Sequence, residues 1–179
     1  ETNGRLFITA FASQVERIMQ FIKSTQKYGK FIVVEGRSMR TNIGIVDHLG
    51  LMKLDNVVPI EDMHKYPPHK IVILATGGQA EQYSLLDRVA RGTHKYLKLS
   101  QADTIIFSSS VVPGNEVAVQ NLKDMLYRHD PKIITYQDSS VHTSGHGKRG
   151  ELEWIHKQVK YKFFMPIHGH HFMLKMHRD

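Results

Sequence analysis

Short, mostly apolar runs alternate along this chain with longer stretches in which apolar residues recur every three or four positions. The short runs predict β-strands at 6–11, 31–34, 71–74, 104–107, 133–135 and 161–167. Strands that are apolar throughout are typical of a sheet covered on both faces, and helices between consecutive strands make such a sheet parallel. The pattern predicts an α/β fold of three layers, with a mostly parallel sheet and helices on both faces, as in Rossmann-like domains.

The stretches between the strands have the spacing of amphipathic helices. In the first of them Val15, Ile18 and Ile22 fall on one helical face. Ser13 and Glu16 have the spacing of a capping box, so we expect the helix to begin there. Further helices are predicted at 39–49, 80–91 and 116–128, and around Leu152, Ile155 and Val159.

A polar turn rich in glycine or serine follows each main strand, at 36–39, 76–81, 108–116 and 143–147. Because the carboxyl ends of parallel strands share one edge of the sheet, these turns are expected to converge where ligands bind in such folds. Free N–H groups attract anions, and Arg37 is suited to a two-pronged phosphate contact. A single glycine turn is ordinary turn chemistry. The nucleotide-binding motifs GxGxxG and GxxxxGKS/T do not occur in the sequence. Four such turns at one predicted edge nevertheless favour a phosphate-bearing ligand.

The composition limits which binding partners and which cellular compartment are expected. The 179 residues carry a formal net charge of +7 and twelve histidines, which favours a polyanion, nucleic acid first. The absence of cysteine excludes disulfides and thiolate metal sites and suits the cytoplasm. No apolar run approaches the length of a membrane span, so we expect a soluble chain.

Two histidines next to glycine stand out as candidate site residues. His146 lies between two glycines, where an imidazole can move a proton or bind a phosphate oxygen. His168 ends an apolar run, and with His170 it would project to one face of an extended chain, which permits metal binding. A catalytic zinc site needs about three protein ligands, however, so exposed loop histidines remain the alternative.

The order of several short segments is also informative. FAS at 11–13 with Arg17, GRSM at 36–39, TGGQAE at 76–81, SSSVVPGNE at 108–116, SGH at 144–146 and PIHG at 166–169 follow one another along nearly the whole chain. This set resembles the β-CASP domain of ribonuclease J-like enzymes, which have a metallo-β-lactamase fold. The resemblance implies that 1–160 are the β-CASP domain and that 161–179 begin the return into a metallo-β-lactamase domain otherwise absent here.

What the resemblance implies for individual residues can be stated position by position. His146 matches a catalytic histidine beside the scissile or terminal phosphate, and His168 matches a ligand of one of two zinc ions. Ser144 and Gly145 match the pocket for the 5′-monophosphate of RNA. The residues that match the walls of the RNA and phosphate cleft are Arg37, Ser38, Gly77 and Gly78.

Two positions depart from the family pattern, and one part of it is missing. His170 stands where the family commonly has glutamate, and Ala80 replaces a glycine, which bears on how closely the loop approaches RNA. The HxHxDH segment of the β-lactamase half does not occur in this chain. We therefore expect the parent enzyme to be a zinc-dependent ribonuclease and this chain alone to form no dinuclear site and to hydrolyse nothing.

Three functions remain open at this point. The first is the RNA-binding part of a ribonuclease that acts exonucleolytically from the 5′ end, endonucleolytically, or both, in RNA processing and decay. A homo-oligomer of the full-length protein is compatible with this reading. The second is a non-catalytic phosphate- or nucleotide-binding module of Rossmann type. The third is a protein-interaction scaffold, which would tolerate changes in the polar turns.

Overall fold

The structure is a computed structural model that describes residues 2–142, 147–167 and 169–179. It divides into two compact units, residues 1–143 and 144–179. The larger unit contains the strands β1 Leu6–Thr9, β2 Phe31–Val34, β3 Ile71–Ala75, β4 Thr104–Phe107 and β5 Lys132–Ile134, and the helices α1 Val15–Lys27, α2 Arg37–His48, α3 Leu85–Ala90 and α4 Glu116–Tyr127. The smaller unit contains α5 Arg149–Gln158 and α6 His171–Arg178.

The five strands form one sheet in the order β2-β3-β1-β4-β5, and every neighbouring pair is parallel. β1 lies at the centre, with Leu6 opposite Val72 on one side and Thr104 on the other. The predicted α/β architecture with a parallel sheet is confirmed. All five strands therefore end at one edge, which we call the carboxyl edge: the residues that directly follow β1 to β5.

Neighbouring residues of each strand bury their side chains in two separate layers. On one face α1 and α2 pack through Ile18, Ile22 and Met39 against strand residues such as Ile8. On the other face α3 and α4 pack against a second cluster that includes Phe7. Full burial of each large aliphatic side chain contributes about 1.5–3 kcal/mol, so the two layers hold the sheet and fix where its carboxyl edge lies.

Two helices begin later than the sequence pattern predicts. α1 begins at Val15 after Gln14, and no side chain caps it, so the capping box expected from Ser13 is wrong. α3 begins at Leu85 and not at Ala80, because Ala80 and Tyr83 both take left-handed backbone conformations. Ser84 then caps the helix by accepting a hydrogen bond from the Asp87 N–H.

The predicted strand at 161–167 is wrong. These residues form no strand, and Phe163, Met165 and Ile167 are about four-fifths exposed. An extended apolar run becomes a strand only when another strand pairs with its backbone, and the described part of the smaller unit contains helices only.

No helix in the described ranges is long and apolar enough to cross a bilayer. The predicted domain boundary at 160 stays a prediction.

Candidate nucleic-acid interface

The loops that follow β2, β3 and β4 touch one another at the carboxyl edge. A Cβ added to Gly36, after β2, would lie 2.9 Å from Thr76 Cγ2, after β3. A Cβ added to Gly78 would lie 3.0 Å from Thr9 Oγ1 and 3.6 Å from Ser109 Oγ. The structure thus brings three of the four predicted turns together. Of the fourth, residues 143–146 lie outside the described residues.

The side chain of Gln79 links the loop after β3 to the loop after β4 through hydrogen bonds. Its side chain is buried, and its Nε2 donates to Ser109 Oγ at 3.2 Å and to the Ser110 carbonyl at 2.8 Å. Its Oε1 accepts a hydrogen bond from the Val112 N–H at 2.8 Å. Because one amide satisfies partners on the other loop from both of its ends, the two loops behave as one surface.

A second set of hydrogen bonds fixes the ends of the two central strands. The Ser108 N–H donates to Thr9 Oγ1 at 3.2 Å, and the Ser108 hydroxyl donates to the Thr9 carbonyl. From Thr9 the chain turns toward α1 on one face, and from Ser108 it continues toward α4 on the other. Such a point, where adjacent strands send their connections to opposite faces, opens a crevice in which α/β folds bind ligands.

Two glycines, the buried Gly77 and the half-buried Gly78, lie in the loop that borders this crevice. Gly77 has φ +107°, and a Cβ there would lie 2.3 Å from Ser84 Oγ, so only glycine fits. Within the described residues the N–H groups of Gly77 and Gly78 have no hydrogen-bond acceptor. Adjacent backbone N–H groups without a protein acceptor are suited to binding an anion.

Arg37 and Ser38 are the first two residues of α2, and both are exposed. In the part of the chain that the structure describes, the Arg37 guanidinium makes no ion pair or hydrogen bond. The twelve-residue helix adds a partial positive charge at this end. A planar guanidinium held here is suited to a phosphate oxygen pair.

Arg17 connects α1 to the segment that leads toward residue 143. Its Nη2 donates to the Val141 carbonyl at 3.0 Å, and its Nη1 lies 3.5 Å from His142 Nδ1. Burial lowers the pKa of this guanidinium below its usual range. Arg17 entered the sequence analysis only as part of a family segment, because its hydrogen bond to Val141 joins residues 124 positions apart.

Four predicted site residues, Ser144, Gly145, His146 and His168, lie outside the described residues. Their roles stay predictions. Across the ranges 2–142, 147–167 and 169–179, no three histidine or carboxylate side chains come together as a metal ion requires. The described residues therefore provide no donor set into which zinc would fit.

Sequence reasoning missed several residues that shape this edge. Thr9 and Gln79 join loops, and Asn42 donates from α2 to the Ala12 carbonyl at 2.6 Å. Thr9 carried a signal, because it is the lone hydroxyl in the apolar run that predicts the first strand. Gln79 and Asn42 carried none, since their partners lie about 30 positions away along the chain.

Comparison with known proteins gives one consistent family. The family profile described as "Ribonuclease J, beta-CASP domain" matches residues 3–126. Ribonuclease J of Mycolicibacterium smegmatis is 38% identical over 168 residues, 93% of this chain and 30% of that protein. Ribonuclease J of Synechocystis is 36% identical over 179 residues, 99% of this chain and 28% of that protein. Ribonuclease J of Thermus thermophilus is 38% identical over 167 residues, 93% of this chain and 29% of that protein.

These relatives are much longer than this chain, which spans about 30% of their length. The profile match covers more than two-thirds of the chain, including the loops after β1, β2, β3 and β4. The parallel sheet and its crowded carboxyl edge agree with that match. The chain belongs to the ribonuclease J β-CASP domain family.

Proposed function

We propose that this chain is the RNA-binding β-CASP portion of a ribonuclease J-like enzyme that hydrolyses RNA phosphodiester bonds. The observation that carries the proposal is the convergence of three loops on one edge of the sheet, with two glycine N–H groups that have no acceptor among the described residues. Family membership supports the substrate class, because the matched relatives are named ribonuclease J. The net charge of +7 supports a polyanion as the ligand of this chain.

In this proposal the RNA backbone lies along the carboxyl edge. The N–H groups of Gly77 and Gly78 bind one phosphate, and the Arg37 guanidinium binds a second. Ser38 faces the same ligand from the first turn of α2. The Gln79 bridge holds the two loops together when the charged backbone binds, because Gln79 lies on the loop after β3 and its side-chain partners lie on the loop after β4.

The chemical step belongs to a larger protein in this proposal. His146 acts beside the phosphate, Ser144 and Gly145 receive a 5′-monophosphate, and His168 is one zinc ligand; these assignments come from the family resemblance. Two zinc ions bound in the parent enzyme would supply a hydroxide nucleophile and stabilise the charge on phosphate. A metallo-β-lactamase domain contributes the other ligands, and whether cleavage is exonucleolytic or endonucleolytic depends on that domain's contacts.

Binding of RNA by the 179-residue chain tests the proposal. The probe is a single-stranded RNA oligonucleotide with a 5′-monophosphate and a 3′ fluorophore, titrated at several salt concentrations. Arg37→Ala is compared with Arg128→Ala, which removes an exposed arginine at the end of α4, on the opposite edge of the sheet.

Loss of a hydrogen bond to a charged group removes about 1.5–3 kcal/mol, so Arg37→Ala should weaken binding about 10- to 100-fold. It should also reduce the slope of log K against log salt by about 0.7, the value for one phosphate contact on a single strand. Arg128→Ala should change neither. Equal effects of the two substitutions would contradict binding at the carboxyl edge.

The alternative of a nucleotide-binding module predicts a different result. A mononucleotide should then bind as tightly as the oligonucleotide and displace it at similar concentration.

A nuclease assay of the chain with zinc or manganese tests whether this chain alone can hydrolyse RNA. We expect no cleavage, and turnover that a chelator abolishes would show that the metal site is complete in this chain.

A further inference from the structure

Tyr83 holds an aromatic ring in solvent beside the glycine loop. The residue is 82% exposed and directly precedes Ser84. Ser84 packs against the loop after β3, because a Cβ added to Gly77 would lie 2.9 Å from Ser84 Cβ. Tyr83 therefore lies at the carboxyl edge, one residue away from the contact that shapes the proposed phosphate site.

The backbone at Tyr83 is held in a conformation that bulky residues avoid. Its φ is 60°, in the left-handed region. The Tyr83 N–H donates to Asp87 Oδ2 at 3.1 Å, and the Asp87 N–H donates to Ser84 Oγ at 3.3 Å. Asp87 is itself buried in α3. The position of the exposed tyrosine is thus set by the folded helix behind it.

From these contacts we infer that Tyr83 is a stacking residue for an unpaired base of the RNA, an inference that rests on the proposed function. A base presents a flat face that stacks on an exposed aromatic ring whatever its sequence. The adjacent N–H groups of Gly77 and Gly78 would hold a phosphate, so the base of the same or the next nucleotide is within reach of the ring. A duplex would not use this residue, because its bases are already stacked on one another.

Three variants of the 179-residue chain separate stacking from other roles. Tyr83→Ala removes the ring, and Tyr83→Phe keeps the ring and removes the hydroxyl. Tyr28→Ala is the matched control: Tyr28 is 72% exposed and follows α1 at the opposite edge of the sheet. The probe is the 5′-monophosphorylated, single-stranded RNA oligonucleotide used for Arg37, at several salt concentrations.

Tyr83→Ala should raise the Kd by about 5- to 100-fold, the range for loss of one base–aromatic stack. Tyr83→Phe and Tyr28→Ala should stay within about twofold of the unchanged chain. The salt slope should be the same for all of them, because no phosphate contact is lost. The melting temperature should also be unchanged, since the exposed ring contributes little to the fold.

Each other outcome overturns the inference in a recognisable way. Equal Kd values for Tyr83→Ala and Tyr28→Ala, with binding otherwise intact, would remove the stacking role and leave the proposed function standing. A weakened Tyr83→Phe would assign the effect to the hydroxyl, and a reduced salt slope would assign it to a backbone contact. An unchanged chain that binds no RNA would overturn both the inference and the proposed function.

Discussion

Replacing Gln79 with glutamate should weaken the fold by separating the loops that follow β3 and β4. The introduced carboxylate still accepts from the Val112 N–H, and the Ser109 hydroxyl can turn to donate to it. It has no hydrogen for the Ser110 carbonyl, which now lies 2.8 Å from Nε2. Two oxygens would then face each other at a site where Gln79 is only 6% exposed.

The size of the effect follows from these contacts. Loss of the bond to Ser110 removes about 1 kcal/mol, and a buried charge that faces an unpaired carbonyl adds about 2 kcal/mol. The free energy of unfolding should fall by about 3 kcal/mol at pH 7. At ~2–4 °C per kcal/mol for a chain of this size, the melting temperature should fall by about 6–12 °C.

The pH dependence distinguishes this mechanism from simple loss of packing. Burial raises the pKa of the introduced carboxyl in the folded state, so its proton is held more tightly there than in the unfolded chain. Its protonated form can donate to the Ser110 carbonyl again. The deficit relative to the unchanged chain should therefore be smallest at low pH and grow as the pH rises through the folded-state pKa.

Urea unfolding followed by far-UV circular dichroism between pH 4.5 and 8 measures the deficit. Gln79→Leu loses all three side-chain bonds, and its deficit of about 3 kcal/mol should not vary with pH. Gln101→Glu places the same charge at an exposed position beyond the other end of the strands and should change little. A Gln79→Glu deficit within 0.5 kcal/mol of Gln101→Glu at pH 7, on the order of ordinary surface effects, would refute the role of the Gln79 bridge.

Two further substitutions test the turn after β3 and the opposite end of the sheet. Ala80→Gly should raise the free energy of unfolding by about 1 kcal/mol, because Ala80 has φ 60°. The same change at Ala118, an exposed residue in the first turn of α4, should lower it by about 0.5 kcal/mol. Asp103→Asn should lower the free energy of unfolding at pH 7 by about 3 kcal/mol, as measured by urea unfolding. The buried Asp103 carboxylate accepts hydrogen bonds from Arg5 and Ser100, and the substitution breaks its ion pair with Arg5. Burial acts to raise the pKa of the Asp103 carboxyl, but the hydrogen bonds and charge of Arg5 outweigh it and hold that pKa below its ordinary value. The stabilisation is therefore complete above the unfolded-state pKa and is lost as the pH falls below about 4. The deficit of Asp103→Asn should shrink there, and a deficit that is constant down to pH 2.5 would count against the pairing.

The sequence pattern predicted the sheet well because its strands are continuous apolar runs with no competing period. β4 has the predicted bounds, and β2 does as well. The pattern failed where tertiary contacts decide the local structure. Residues 80–84 have side chains that a helix accepts, yet the packing of Ser84 against Gly77 imposes a turn. At 161–167 the apolar run has no strand beside it within the described part of its unit, so its strand propensity is not realised.

Part of the candidate site was likewise predictable from the sequence, and part of it was not. The convergence of the glycine turns followed from parallel strands alone, since such strands must end at one edge. The residues that hold the turns together did not follow from the sequence, because Thr9 and Gln79 bond to partners brought close only by the folded sheet. Arg37 was predicted from its chemistry and does lie at that edge. Tyr83 was missed, because an exposed aromatic residue leaves no periodic pattern.

Amide chemical-shift mapping tests most directly whether RNA binds at the carboxyl edge. A 5′-monophosphorylated oligonucleotide would be titrated into the isotope-labelled chain. We expect the largest shifts at Gly77, Gly78 and Arg37, which belong to the loops that converge at this edge, and in the loop after β4. Shifts confined to the opposite edge, around Ala102 and Arg128, would contradict RNA binding at this site.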